Sequence, residues 1–563
     1  MKIFNKNFFK KPLVLPKGLV EVYEIFIKNS ELIFGVSTII VSLFLLIFTI
    51  YFALQLKPAV PIGNDPITHL EYVESLKNNL KESILLSVYP LLFHLLLLWA
   101  SKISHFPPMT IFTYLQFFMP LLIIFISALL AKFLFNNKVA YLALCFSLLF
   151  ADCFFYTTSL GILPDLLANN LLLIILLMMT IYWINKKSFS RQKTLFIGVA
   201  LLFLSFFHGA SIYLAVIYFL SLFLAYIEEK NFANKKNLLF LITLLIIAAG
   251  VSFIASSSLH YRTIFKTKKN TDLYSPDEVM VNLVPAFLKI PKEIEKMDLK
   301  GCPIDSLLSF DLSLFLAFAF LFFFILVFPL KKKLQKERVS LFFLYFLVIG
   351  SFFISQLPFN LISKRIITEF FPIYIIFIAA SFFYFLRVPK NYFKPLAVVF
   401  LLTFFITNKD ISLYNLHTFA PSFIENKNFY LKGAELLKEN SKTQEKILVF
   451  PYKNYFQFLI NDREVLGISR NPIDTKKEEF FDFFISSFTS SKFQKEQVTG
   501  FKEALEAKKP TLLAFMLFNL TEDHRLEREL IQNMGLKNLC AEGKYSLFFG
   551  KEKVLFFCRL SVY

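Results

Sequence analysis

Residues 87–104 read SVYPLLFHLLLLWASKIS, and whether this stretch crosses a membrane decides how the rest of the chain is threaded. It is apolar but short, carries Pro90 and His94, and is bounded by Lys81-Glu82 and Lys102. A membrane-spanning helix needs roughly 20 mostly apolar residues. Runs that approach or exceed this length lie at 31–56, 109–134, 139–157, 163–184, 194–207, 210–227, 238–256, 311–330, 339–357, 366–386 and 396–408. The stretch 194–227 is too long for one helix and breaks at His208-Gly209, which reads as a tight hairpin. Cytoplasmic loops carry the Lys/Arg excess of a membrane protein. The basic segments are 1–30, 132–138, 185–194 (NKKSFSRQKT), 228–237 (EEKNFANKKN), 331–338 (KKKLQKER) and 387–395 (RVPKNYFKP). All of them fall on one side only if 87–104 lies along the outer interface, as short amphipathic segments do. The expected architecture is a polytopic α-helical membrane protein of about eleven spans, with the N-terminus inside. The start, MKIFNKNFFKK, then reads as part of an uncleaved anchor.

Composition supports this class. The 563 residues are 56% hydrophobic and 18% charged, with a mean hydropathy of +0.59. Soluble domains sit near ~45–50% apolar and ~25% charged, and disordered chains lower still in hydrophobicity. The net charge of +19 would suit nucleic acid, but no helix-turn-helix, finger or RNA-binding signature accompanies it. Nearly all of that excess sits in the basic connectors, so it is a topology signal. The cysteines at 145, 153, 302, 540 and 558 form no zinc pattern and no dense disulfide framework.

The chain therefore divides into a cytoplasmic segment 1–30, a transmembrane domain 31–408 and a tail 409–563. Segments 57–108 and 257–310 are outer loops, the first holding interfacial helices. The tail has the composition of a water-soluble domain. Helices are expected at 428–440, 475–487, 493–508 and 521–535, and strands at 446–451, 511–518, 544–549 and 553–560, giving a small extracytoplasmic α/β domain. Cys540 and Cys558 either pair there or remain core thiols.

Ionisable residues in a membrane domain are costly, so their placement is informative. The midplane is almost bare of them. Asp65, His69 and Glu71 follow the first span, Asp152 nears the end of the third, and Asp165 opens the fourth. His208 marks the outer turn of the hairpin, Tyr261-Arg262 follow the seventh span, and Lys364, Arg365 and Glu369 open the tenth. One membrane face thus collects carboxylates, imidazoles and a cation pair. That is the equipment for a reaction at the outer leaflet, where an anionic lipid headgroup meets a water-soluble group. His94 is expected at the interface without a chemical role.

The ordered stretches GNDPITHLEYVESL (63–76), YPLLFHLLLLWASK (89–102), LLAKFLFNNKVAYLALCF (129–146), TTSLGILPDLLANNLLL (157–173) and FFHGASIYL (206–214) resemble those of the GT-C superfamily of integral membrane glycosyltransferases. The resemblance is to the branch of protein-mannosyltransferases and aminoarabinose transferases (glycosyltransferase family 39-like), and it covers about residues 30–390. It implies a polyprenyl-phosphate sugar donor, an essential Asp in the first outer loop and a second-loop acid, matched here by Asp65 and Asp165. Many relatives carry paired acids in the first loop, whereas Asp65 stands between Asn64 and Pro66. The Trp-Trp-Asp signature of oligosaccharyltransferases is absent, since Trp99 and Trp183 adjoin no Asp.

The chemistry of such a transfer suits these residues. A hydroxyl acceptor loses a proton as it attacks the anomeric carbon, and Asp65 is the candidate base. The departing lipid phosphate needs positive charge; Arg365 offers a planar fork and Lys364 a point charge. His69, Tyr261 and Arg262 are candidate substrate contacts. Asp165, Asp152 and His208 are candidate ligands of Mg or Mn, which favour oxygen donors. Plainer roles compete. Asp65-Pro66 is also a good helix start, followed by an apolar stripe of Ile67, Leu70, Val73, Leu76 and Leu80. Asp165 suits a helix dipole, Asp152 and His208 suit packing, and Lys364-Arg365 can snorkel to headgroups. The partners expected are the lipid-linked donor, an acceptor that is a protein, lipid or glycan, and membrane lipids. A transporter or flippase of lipid-linked sugars is the first alternative, although such proteins usually show repeated halves and midplane polar sites. A non-enzymatic envelope protein with a partner-binding tail is the second.

Overall fold

The computed structural model describes residues 60–61, 65–78, 80, 91–149, 163–186, 188–205, 207, 210–228, 236–247, 338–355, 372–381, 383–384, 427–452, 455–468, 505–518, 540–549 and 553–560, with helical positions 35, 36, 39, 40, 43, 47 and 51. The expected spans 311–330 and 396–408, the outer loop 257–310 and the tail helices expected at 475–487 and 521–535 lie outside these residues.

The helices follow the apolar runs. α1 is Asp65–Asn78, α2 Leu92–Ser104, α3 Pro108–Leu134 and α4 Asn137–Leu149. α5 opens as Leu163–Asp165, widens to a π-helix over Leu166–Leu173 and resumes as α-helix over Ile174–Asn185. α6 is Arg191–Ser205, α7 Ala210–Glu228, α8 Lys236–Ile247, α9 Arg338–Ser355 and α10 Pro372–Ser381. The break expected at His208-Gly209 falls between α6 and α7. Among the described residues, α3 and the α5 segment Leu166–Ile184 are long and apolar enough to cross a membrane.

Local chemistry sets the turns. α2 stops because His105 adopts a left-handed conformation at φ 58°, a geometry that His tolerates better than most side chains, and Pro107-Pro108 then launch α3. At 13 residues, α2 reaches only about 20 Å, short of the ~30 Å hydrocarbon core. Asn136 caps α4: its Oδ1 accepts the backbone N–H groups of Lys138 and Val139 at 3.0 and 3.1 Å.

On α3, Phe118, Leu122, Phe125, Leu129 and Phe133 form one exposed apolar stripe, while Phe112, Ile123, Ile124 and Leu130 are buried among neighbouring helices. α6 shows the same division, with Leu195, Phe196, Val199, Leu202 and Phe203 outward. Val36, Ile39, Ile40, Leu43 and Ile47 continue the pattern in the first apolar run. Such continuous apolar faces fit lipid and not water.

The tail holds α11 (427–439), α12 Phe456–Leu459 and strands β1 Lys446–Tyr452, β2 Glu464–Ile468, β3 Leu512–Phe518, β4 Cys540–Phe549 and β5 Lys553–Leu560. They form a five-stranded sheet in the order β2-β1-β3-β5-β4. β1 runs parallel to β2 and β3, and β5 runs antiparallel to β3 and β4. Ile447, Leu448 and Val449 are all fully buried, as expected of a parallel strand covered on both faces. Arg463 ties the layers together, its Nη2 donating to the carbonyls of Lys438 and Ser441, both at 2.8 Å, at the C-terminal end of α11. The register sets Cys540 opposite Leu560, not opposite Cys558.

Candidate functional site

α1 has the composition of a surface helix, DPITHLEYVESLKN, yet it is buried. Ile67, Leu70, Val73 and Leu76 of the expected stripe lie at 2% exposure or less, and His69, Glu71 and Tyr72 are buried with them. Leu80, the last residue of that stripe, is exposed. Burial on several sides follows from two neighbours. One side of α1 packs on α2 and α3. From the tail, Gln457 of α12 reaches in and its Nε2 donates to Glu71 Oε1 at 2.7 Å, across 386 positions of sequence. A buried carboxylate needs such donors.

The face toward α2 is aromatic. His69 Nδ1 and His94 Nε2 are 3.0 Å apart, so one ring N–H donates to the other ring's nitrogen. Two doubly protonated rings would point N–H at N–H, so the pair carries at most one positive charge. The His69 ring stacks on Phe112 and meets Phe93 edge-on, each with centroids 5.9 Å apart. Tyr72 lies 5.1 Å from His94. His94 is fully buried against α1 and its aromatic neighbours. The helical period explains why: His94 and Leu97 lie three apart on α2 and both turn inward with Phe93.

The residues singled out in the sequence fall into three groups. Asp65 opens α1 and His69 follows four residues later, so the helical period sets both on one face. Asp165 closes the first turn of α5, and that turn packs on α3, the same helix that α1 packs on. Asp152, His208, Tyr261, Arg262, Lys364 and Arg365 lie outside the described residues. Among the described residues no group of three His, Cys, Asp or Glu side chains could hold a metal ion. The His69–His94 separation is that of a hydrogen bond. His94, Glu71, Tyr72 and Gln457 are the members of this cluster that sequence patterning assigned no role; the spacing of Asp65, His69 and Tyr72 along one helical face was the available signal.

No protein-family model and no curated protein matches this sequence. Among solved structures, the chain is similar to the oligosaccharyltransferase AglB from Archaeoglobus fulgidus in complex with an inhibitory peptide and a dolichol-phosphate. That likeness has 13% identity and a TM-score of 0.47, covering 91% of this chain and 74% of that one. It is also similar to ArnT from Cupriavidus metallidurans bound to undecaprenyl phosphate, at 11% identity and a TM-score of 0.42, covering 94% and 98%. Both likenesses are loose, and neither assigns a residue or a ligand to this chain.

Proposed function

We propose that the protein transfers a sugar from a polyprenyl-phosphate donor to a hydroxyl-bearing acceptor at the outer face of the cytoplasmic membrane. The observation that carries this reading is α1: a polar helix opening on Asp65, buried between the apolar bundle and the tail and pinned on both sides by hydrogen bonds. A merely connecting loop needs no such arrangement, whereas a general base must be held in place.

In the reaction, the acceptor oxygen attacks the anomeric carbon while its proton passes to Asp65. The anomeric C–O bond to phosphate breaks, and its electron pair leaves with the phosphate oxygen. Arg365 and Lys364 hold that phosphate as its charge develops. His69, locked against His94, fixes the rotation of α1, the helix that Asp65 opens. The tail acts through Gln457 and Glu71 on the same helix, which couples the extracytoplasmic domain to the base. Asp165, with Asp152 and His208, is the proposed donor set for a divalent ion; chelation should then lower transfer and added Mg or Mn restore it.

Transfer of radiolabel from a polyprenyl-phosphate sugar by the purified full-length protein tests the proposal. Wild type should move label to a water-soluble or lipid acceptor, and Asp65→Asn should lose about 10²–10⁴-fold in rate, the range for a general base. Equal label transfer by the variant would remove Asp65 from the chemistry.

A further inference from the structure

Some buried hydroxyls of the bundle bond their own helix, while Ser147 and Ser381 Oγ are buried without a partner. Thr113, Ser127 and Thr180 each donate to the carbonyl four residues back, at 2.8, 2.7 and 2.8 Å. The π-helical turn of α5 reads LLANNLLL, and Asn169 and Asn170 are each 1% exposed. Both polar atoms of the Asn169 side chain and Oδ1 of Asn170 are buried without a hydrogen-bond partner. The turn packs on α3, α6 and α7; near the start of α7, Ser211 Oγ is also buried without a partner.

Two observations coincide here. A run of leucines needs no π-helix, and π-bulges inside α-helices concentrate at functional sites. Adjacent buried carboxamides with unmet donors and acceptors are costly to the ligand-free protein, because a polar group taken from water must find a replacement partner. Both features lie within about two turns of Asp165.

We propose that the π-helical turn of α5 binds the sugar ring of a substrate through the carboxamides of Asn169 and Asn170. A carboxamide is neutral and both donates and accepts, which matches hydroxyl groups that do the same. An anion is a poor match: α5 carries no Lys or Arg between Leu163 and Asn185, and Asp165 sits at its head. The site therefore takes the hydroxyl-rich portion of the ligand and leaves the phosphate to cations elsewhere. This rests on the proposed sugar transfer and adds to it the element that reads the sugar.

The test uses full-length protein in lipid nanodiscs and two sets of probes. The first set is undecaprenyl phosphate and the undecaprenyl-phosphate derivatives of glucose, mannose, galactose and 4-amino-4-deoxyarabinose. The second is the methyl glycosides of the same sugars. In wild type, at least one attached sugar should tighten binding over undecaprenyl phosphate by about tenfold or more, the equivalent of one or two hydrogen bonds. Asn169→Ala and Asn170→Ala should erase that increment while undecaprenyl phosphate itself binds within about twofold of wild type. If a methyl glycoside binds wild type and neither variant while the lipid increment persists, the ring held belongs to the acceptor, and the site stands. Asn169→Leu, which keeps the branched shape, should hold or raise the Tm of the ligand-free protein while losing the increment. The asparagine site is overturned if both Ala variants keep every sugar-dependent increment, or if Asn169→Leu lowers Tm as a structurally bonded amide would. Wild type that fails to bind undecaprenyl phosphate would overturn the transferase reading, and this site with it.

Discussion

In α1 the buried polar side chains meet partners: His69 bonds His94 at 3.0 Å and Glu71 accepts from Gln457 at 2.7 Å. In the π-helical turn of α5, Asn169 and Asn170 are buried as deeply and their unpartnered atoms are left so. Both regions pack on α3, α1 also on α2 and the α5 turn also on α6 and α7. What differs is that His69 and Glu71 each have a side-chain partner, whereas the Asn169 carboxamide and Oδ1 of Asn170 have none. A satisfied network fixes geometry, and an unsatisfied one costs about 1–3 kcal/mol per group until something else satisfies it. On the proposed reading, α1 holds a residue still and α5 receives a ligand.

That contrast can be broken by mutation. His94→Ala strands His69 in an aromatic box and leaves a cavity; a loss of about 3–4 kcal/mol of stability is expected in chemical denaturation of the purified protein. Asn169→Leu should instead be neutral or stabilising, and the contrast would vanish if both variants were equally destabilised. Gln457→Leu removes a donor from the buried Glu71 carboxylate, with an expected cost of about 2 kcal/mol. Its signature is a fall in kcat at nearly constant KM for the lipid donor, because the base and not the donor site is disturbed. Arg463→Lys keeps the charge but loses the Nη2 that bonds the carbonyls of Lys438 and Ser441 at the end of α11, at an expected cost of about 1 kcal/mol seen as a lower Tm. Phe125→Leu, on the exposed stripe of α3, should change stability by no more than about 0.5 kcal/mol, since one exposed apolar side chain replaces another.

The helices of the bundle were legible because their cause is local: a long apolar run satisfies its own backbone in a membrane whatever surrounds it. The strands β1, β3, β4 and β5 were legible for a similar reason, being short apolar or alternating runs between turn residues. β2 was not, because EVLGI is five residues broken by Glu464 and Gly467 and becomes a strand through pairing with β1. The apolar stripe of α1 signalled burial of one face, but the burial of its polar residues had no local signal. Those residues gain partners from α2 and from a tail helix 386 positions away, and the spacing of Asp65, His69 and Tyr72 marks a face without naming those partners. The π-helical turn was equally hidden, since leucines on either side of Asn169-Asn170 read as ordinary span. Asp65 and His69 could be singled out from the sequence because a polar cluster between apolar runs is expensive, while the pairing of His94 with His69 was lost among leucines.

The most direct measurement of the central claim separates binding from chemistry. Asp65→Asn protein, loaded with a radiolabelled polyprenyl-phosphate sugar and mixed with acceptor, is followed through a single turnover. The donor should bind as tightly as to wild type, and label should reach the acceptor about 10²–10⁴-fold more slowly. Single-turnover transfer at the wild-type rate, with donor binding intact, would contradict the claim that Asp65 takes the acceptor's proton.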